Sequence, residues 1–229
     1  MDVSNSEDEE EAIESAAVRL SVEEAFLRCT GPLGNNGYLH ISELIGFLKS
    51  SGRTVLWNAA KLAPILGRCE RLTLTTKGLV IWTGAPEKSF LLRRLCTIVA
   101  ARKSKLSLES ALVQLQRGTN RLSALTAEDL ADLANTVPEF SLTGSAIVRS
   151  ETFHAQAGDV LEGDEYQIFR VLQRTQFVLS ATDIRHKLGR RAPLLETVQT
   201  ILNESAVVTD VDGGYRSIIE TPTQLGLKL

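Results

Sequence analysis

Apolar residues recur at three- and four-residue steps in three separate stretches, Val22 to Cys29, Phe90 to Ala101 and Tyr166 to Arg174. That spacing predicts a helix with one buried face in each. A short extended run follows each helix, at Tyr38 to Ile41, Lys105 to Leu108 and Phe177 to Leu179. Each run leads into a hydroxyl residue suited to capping the next helix, namely Ser42, Ser107, and Ser180 or Thr182, because such a side chain accepts from the unpaired amides of a first turn. Second helices are predicted at about 43–50, 108–117 and 181–188. Breaks at SSGR, RGTN and LGRRAP separate them from third helices at about 54–67, 126–135 and 193–203.

Each stretch then closes on two short apolar strands around a turn. The strand pairs are Arg71 to Leu74 with Leu79 to Trp82, Glu139 to Leu142 with Ala146 to Arg149, and Ala206 to Thr209 with Tyr215 to Ile218. The turn glycines Gly78, Gly144 and Gly213 lie 66 and 69 residues apart. Unrelated hairpins have no reason to keep that spacing, so three copies of one unit are predicted. Leu79, Ile81, Ile147 and Val207 are expected to be buried, and Trp57 reads as a core or inter-module anchor rather than a base-stacking platform.

The order helix, strand, helix, helix, hairpin resembles a winged helix, in which the third helix is the recognition helix and the hairpin is the wing. The segments LHISELIGFLKSSG (39–52), VLSATDIRHKLGRR (178–191) and DVDGGYRSI (210–218) carry the likeness. The pattern is similar to tandem winged-helix repeats of the HARE-HTH type and to those beside bacterial sigma-factor-like regions. It covers about residues 20–220. The expected fold class is therefore α+β and helix-rich, with modules at 20–85, 87–152 and 160–220. An acidic tail (1–19), disordered by composition, and a C-terminal tail (221–229) flank them. Residues 151–163 read as the loosest linker.

Composition narrows the possible roles. With 43% hydrophobic and 23% charged residues the chain has the make-up of a globular protein, and no apolar run approaches the roughly 20 residues that span a bilayer. The acidic N-terminus lacks the apolar core of a secretory signal, so the cytoplasm, or the nucleus in a eukaryote, is the expected location. Residues 1–20 carry seven acids against Arg19, a net of −6, which leaves the remaining 209 residues at +3. Cys29, Cys69 and Cys96 are far apart and form no CxxC pair, so they read as small core residues rather than a disulfide or zinc framework.

The resemblance implies binding of nucleic acid, most simply double-stranded DNA, or of a protein in a nucleic-acid-processing complex, with no cofactor, metal, membrane or small-molecule substrate. In the third module Arg185, His186, Lys187, Arg190 and Arg191 form a basic cluster, and Thr197, Gln199, Thr200 and Asn203 are polar positions on the next helix. The cations suit phosphates, and Gln or Asn suits base edges. The first module offers a sparser set, Arg53, Asn58, Lys61, Arg68, Arg71 and Lys77. In the second, Glu128, Asp129 and Asp132 set the wrong sign for a groove, and Arg102, Lys103 and Lys105 form a basic arm. A weak body charge and that acidic helix keep a protein-interaction scaffold open beside the nucleic-acid reading. His40, His154 and His186 show no paired spacing, and no GxSxG, HExxH or phosphate-loop motif occurs, so the chain is expected not to be an enzyme.

Overall fold

The computed structural model describes residues 18, 22–30, 36–50, 57–84, 89–102, 105–175 and 177–218. Both predicted tails lie outside these residues, apart from the single position 18. The fold is α+β, with small antiparallel sheets set among helices. Contacts divide the chain into two compact units, Met1–Leu92 and Arg93–Leu229.

In the first unit α1 (22–30) buries Val22, Ala25 and Phe26, and the Phe26 ring stacks on Trp82 with centroids 6.3 Å apart. Strand β1 (Tyr38–His40) leads into α2 (Ile41–Ser50), which buries Leu44 and Leu48 one turn apart. Then come α3 (Ala59–Leu66), β2 (Leu72–Leu74) and β3 (Leu79–Trp82). The sheet order is β1–β3–β2, with Tyr38 opposite Ile81 and Thr73 opposite the same residue from the other side. As the central strand, β3 buries all four of its residues, so both of its faces are covered.

Two helix starts differ from the sequence expectation. Ser42 is not the cap of α2: the helix begins at Ile41, and the Glu43 carboxylate accepts from the His40 amide at 2.8 Å. A carboxylate three residues into a helix reaches back in this way, so Glu43 takes the capping role given to Ser42. The third helix starts at Ala59 rather than near 54, because the Asn58 side chain accepts from the Lys61 amide at 2.9 Å and so fixes the first turn. Trp57 is 3% exposed, as an anchor should be.

The second unit takes in most of α4 (Phe90–Ala101), followed by β4 (Leu106–Ser107), α5 (Leu108–Gln116), α6 (Ala127–Thr136), β5 (Phe140–Thr143) and β6 (Ala146–Arg149). Its sheet order, β4–β6–β5, repeats that of the first unit. A short α7 (Ala157–Val160) precedes α8 (Gly163–Arg174), α9 (Ala181–Leu188), a 3-10 turn (Gly189–Arg191), α10 (Leu195–Glu204), β7 (Val208–Val211) and β8 (Gly214–Ser217). Here the leading strand is reduced to one bridge, Leu179 to Tyr215. The order of elements and of strands thus recurs three times along the chain.

Ser107 and Ser180 cap α5 and α9 as expected, and Thr126 forms a capping box with Asp129 on α6. Leu79, Ile81, Ile147 and Val207 are all buried. Among the cysteines only Cys96 is buried; Cys29 and Cys69 are half-buried. The stretch 151–163 is not a loose linker, since Phe153 packs on Phe140 and Leu161 is 2% exposed in a core shared with Ile168, Phe169 and Leu172.

The three hairpin glycines have positive φ, +83° at Gly78, +63° at Gly144 and +83° at Gly213. Gly144 and Ser145 alone separate β5 from β6, the arrangement in which a first-position glycine closes a tight hairpin. Nothing lies within 4 Å of where a Cβ on Gly144 would sit. Gly144→Val therefore meets backbone strain and no clash, and should destabilise the second unit by about 1–2 kcal/mol. An unchanged thermal midpoint would refute this.

Three arginines in the second unit, given no part by the pattern of the chain, hold its helix ends. Arg149 on β6 donates from Nε to Val99 O (2.9 Å) and from Nη2 to Ala100 O (2.6 Å) and Arg102 O (3.2 Å), closing the C-terminus of α4. Arg94 donates to Glu204 O (2.8 Å), Gln114 O (3.3 Å) and Arg117 O, so one guanidinium serves the ends of both α5 and α10. Arg117 donates to Ser205 O (3.1 Å) and Val208 O and pairs with Asp210 at 2.9 Å. Gln114 adds a bond to Thr209 Oγ1 at 3.1 Å. Cations are favoured at such carbonyl-rich ends. Burial lowers the Arg94 pKa to about 10, which still leaves it charged at neutral pH.

Candidate nucleic-acid interface

The basic cluster at 185–191 is positioned by the two ends of α9. At its start the Ser180 hydroxyl accepts from the Asp183 amide (3.1 Å), and the Asp183 carboxylate accepts from the Ser180 amide (3.2 Å) and hydroxyl (2.6 Å). These bonds to Ser180 hold the Asp183 carboxyl below its ordinary range, so it stays ionised. Ala181 and Ile184 face the core, which turns Arg185, His186 and Lys187 outward. Gly189, at φ +78°, ends the helix and opens the 3-10 turn that carries Arg190 and Arg191. Arg185 Nε donates to Pro193 O at 3.1 Å, drawing the end of that turn against α9. All four sequence-assigned cations, Arg185, Lys187, Arg190 and Arg191, are exposed.

Next comes α10, which buries Val198 and Leu202 and exposes Glu196, Thr197, Gln199, Thr200, Asn203 and Glu204. Two of the polar positions are engaged within the fold. Thr200 Oγ1 donates to Glu196 O (3.0 Å), and Asn203 Oδ1 accepts from Tyr215 Oη (3.1 Å). Thr197 and Gln199 stand exposed beside them. Leu194, just ahead of the helix, is 72% exposed, and Leu195 is 36% exposed.

In the first unit Lys61 is exposed on the first turn of α3, and Lys77 is exposed in the turn between β2 and β3. Arg68 and Arg71 are exposed near them in sequence, whereas the Asn58 side chain is committed to its cap. Arg53 lies outside the described residues, as does Lys103 of the proposed basic arm. On α6 the acidic set is smaller than its sequence suggests. Asp129 is 1% exposed, with its carboxylate turned back onto the Thr126 amide (2.9 Å) and hydroxyl (2.7 Å), so it is a capping group and not a surface charge. Glu128 is exposed and Asp132 half-buried.

No family model, curated protein or solved structure matches the chain.

Sequence reasoning passed over Leu194 and Leu195. A signal was present: in the run PLLETVQTIL the core positions Val198 and Leu202 already supply the buried stripe of α10, leaving the leading leucine surplus to it. Among the described residues no cluster of three His, Cys, Asp or Glu side chains is placed to hold a metal ion, and no helix is long and apolar enough to cross a membrane. Burial pushes the Cys96 thiol up to about 12, so it carries no thiolate near neutral pH.

Proposed function

We propose that the chain is a non-catalytic nucleic-acid-binding protein of the transcription-related kind, built from winged-helix modules, whose third module contacts double-stranded DNA. On this reading α10 is the recognition helix, the β7–β8 hairpin is the wing, and α9 with its 3-10 turn meets the phosphate backbone. The observation that carries the reading is the exposure of Arg185, Lys187, Arg190 and Arg191 on the elements immediately before α10. The recurring order of helices and the common sheet order, first strand beside last, support winged helices as the modules. Exposed Thr197 and Gln199 supply hydrogen-bonding groups for base edges, and Lys61 and Lys77 give the first module a weaker set of its own.

The test is binding of labelled duplex DNA across a salt series, with the intact chain compared with Arg185→Ala/Lys187→Ala/Arg190→Ala/Arg191→Ala. Loss of affinity at low salt, with the slope of log K against log salt flattened by about 0.9 for each phosphate contact removed, is expected. All four side chains are exposed, and the variant gives up the one Arg185 bond to Pro193 O, so circular dichroism checks that the fold is kept. Equal, salt-insensitive binding by both proteins would sink the reading.

A second reading, a protein-interaction scaffold within a polymerase-type or chromosome-organising complex, is favoured by one observation. Phe177 is 75% and Val178 41% exposed on the segment leading to α9, apolar surface that a phosphate backbone does not cover. Absence of DNA binding by the intact chain at low salt would move the assignment to this class.

A further inference from the structure

We infer that residues 224–229 (QLGLKL) fold back over Phe177 and Val178, so that the apolar surface ahead of α9 is covered by the chain's own segment beyond β8. The inference is independent of the duplex-binding reading. A protein partner of the scaffold class would reach this surface only by displacing that segment.

The recurring order of elements lets one copy be laid on another. In the first copy Gly37 stands four residues ahead of α2, and its carbonyl accepts from the amide of Trp82, the last residue of β3, at 2.8 Å. In the third copy Phe177 stands four residues ahead of α9. Leu179 and Tyr215 exchange both backbone bonds, at 3.0 and 2.8 Å, so the antiparallel count places Phe177 opposite Ser217, the last residue of β8. Gly37 and Phe177 are therefore equivalent positions. Gly37 is buried, whereas Phe177 is 75% and the adjoining Val178 41% exposed.

What covers Gly37 is the chain beyond its own hairpin. Ser89, seven residues past Trp82, is 1% exposed and lies so close that a Cβ on Gly37 would overlap its hydroxyl. Two residues on, the Leu91 amide donates to Asn36 O at 3.1 Å. In the third copy the Ile218 amide donates to Val207 O at 3.0 Å, which fixes where the following segment leaves the fold. Seven residues past Ser217 is Gln224, and Leu225, Leu227 and Leu229 then alternate with Gly226 and Lys228. Such alternation gives an extended segment one apolar side. Pro222, just before it, suits the bend that a return path needs. Glycine at position 37 admits the returning backbone itself. A phenylalanine at the equivalent place calls instead for apolar side chains, and the three leucines supply them.

Phe177→Trp in the full chain reports on the cover directly, because Trp57 and Trp82 are 3% and 1% exposed and so contribute little acrylamide quenching. The new indole should be protected, and adding Leu225→Ser/Leu227→Ser/Leu229→Ser should raise its quenching constant severalfold. With Phe177 left in place, the same three serines should increase binding of anilinonaphthalene sulfonate, a dye that reports exposed apolar surface. Both readings are taken on chains whose circular dichroism matches the parent. Strong quenching of the indole before the serines are introduced would overturn the inference, as would protection that survives them. Protection lost on dilution would overturn it in favour of a second copy of the chain, and unchanged dye binding would overturn it whatever the indole reports.

Discussion

Replacing Arg94 by leucine should lower the stability of the second unit by about 2–4 kcal/mol. Its guanidinium serves three backbone carbonyls, Gln114 O and Arg117 O at the end of α5 and Glu204 O at the end of α10. Leucine matches the neighbouring Leu91, Leu92 and Leu95 of α4 but leaves those acceptors without their donor, and each of the two partly buried carbonyls, Gln114 O and Arg117 O, costs about 1–3 kcal/mol when so stripped. Lysine restores the charge without the planar fork that reaches several acceptors at once, so Arg94→Lys should recover only part of the loss. Denaturant titration of the intact chain measures both. A midpoint for Arg94→Leu that matches the parent would show that water satisfies those carbonyls equally well.

Gly118→Ala should be nearly as damaging, by about 2–4 kcal/mol, for a different reason. Gly118 follows α5 at φ +64°, and a Cβ there would lie 2.5 Å from Asn203 O and 2.7 Å from Glu204 Cα. Both are backbone atoms near the end of α10 and cannot rotate away, so the strain of positive φ adds to a contact that only chain movement relieves. Gly144 makes the matched control, with a similar φ of +63° and open space around it. Thermal unfolding of the two alanine variants side by side should separate strain alone from strain plus overlap. Equal midpoints would mean that the α5–α10 approach yields without cost.

Much of the architecture was legible because it rests on local rules. Helices repeat with a 3.6-residue period, Ser107 and Ser180 cap where a hydroxyl precedes an apolar run, and the hairpins announce themselves by glycines that adopt positive φ. The misplacements were also local. At α2 a glutamate three residues into the helix capped it in place of Ser42, and at α3 the Asn58 cap set the helix start at Ala59. What periodicity could not convey is which charges a fold consumes. Arg94, Arg117 and Arg149 read along the chain like any surface cations, yet each is spent on carbonyls far away in sequence. Asp129 reads as a repulsive surface charge and is instead buried in its own capping box. For the candidate interface, the cations at 185–191 were legible from composition alone. The exposed Leu194 was signalled only by its place outside the Val198 and Leu202 stripe, because the apolar character of a residue does not by itself reveal whether anything covers it.

The Arg94 bond to Glu204 spans 110 residues of chain. A contact of that range closes a very large loop, and loop closure is favourable only once the segments at both ends are already ordered. The guanidinium is therefore expected to engage late in folding. Interactions absent from the folding transition state govern how fast a protein comes apart rather than how fast it forms. On that expectation the α5–α10 seam is a kinetic latch, whose loss shortens the lifetime of the native second unit more than it slows its assembly.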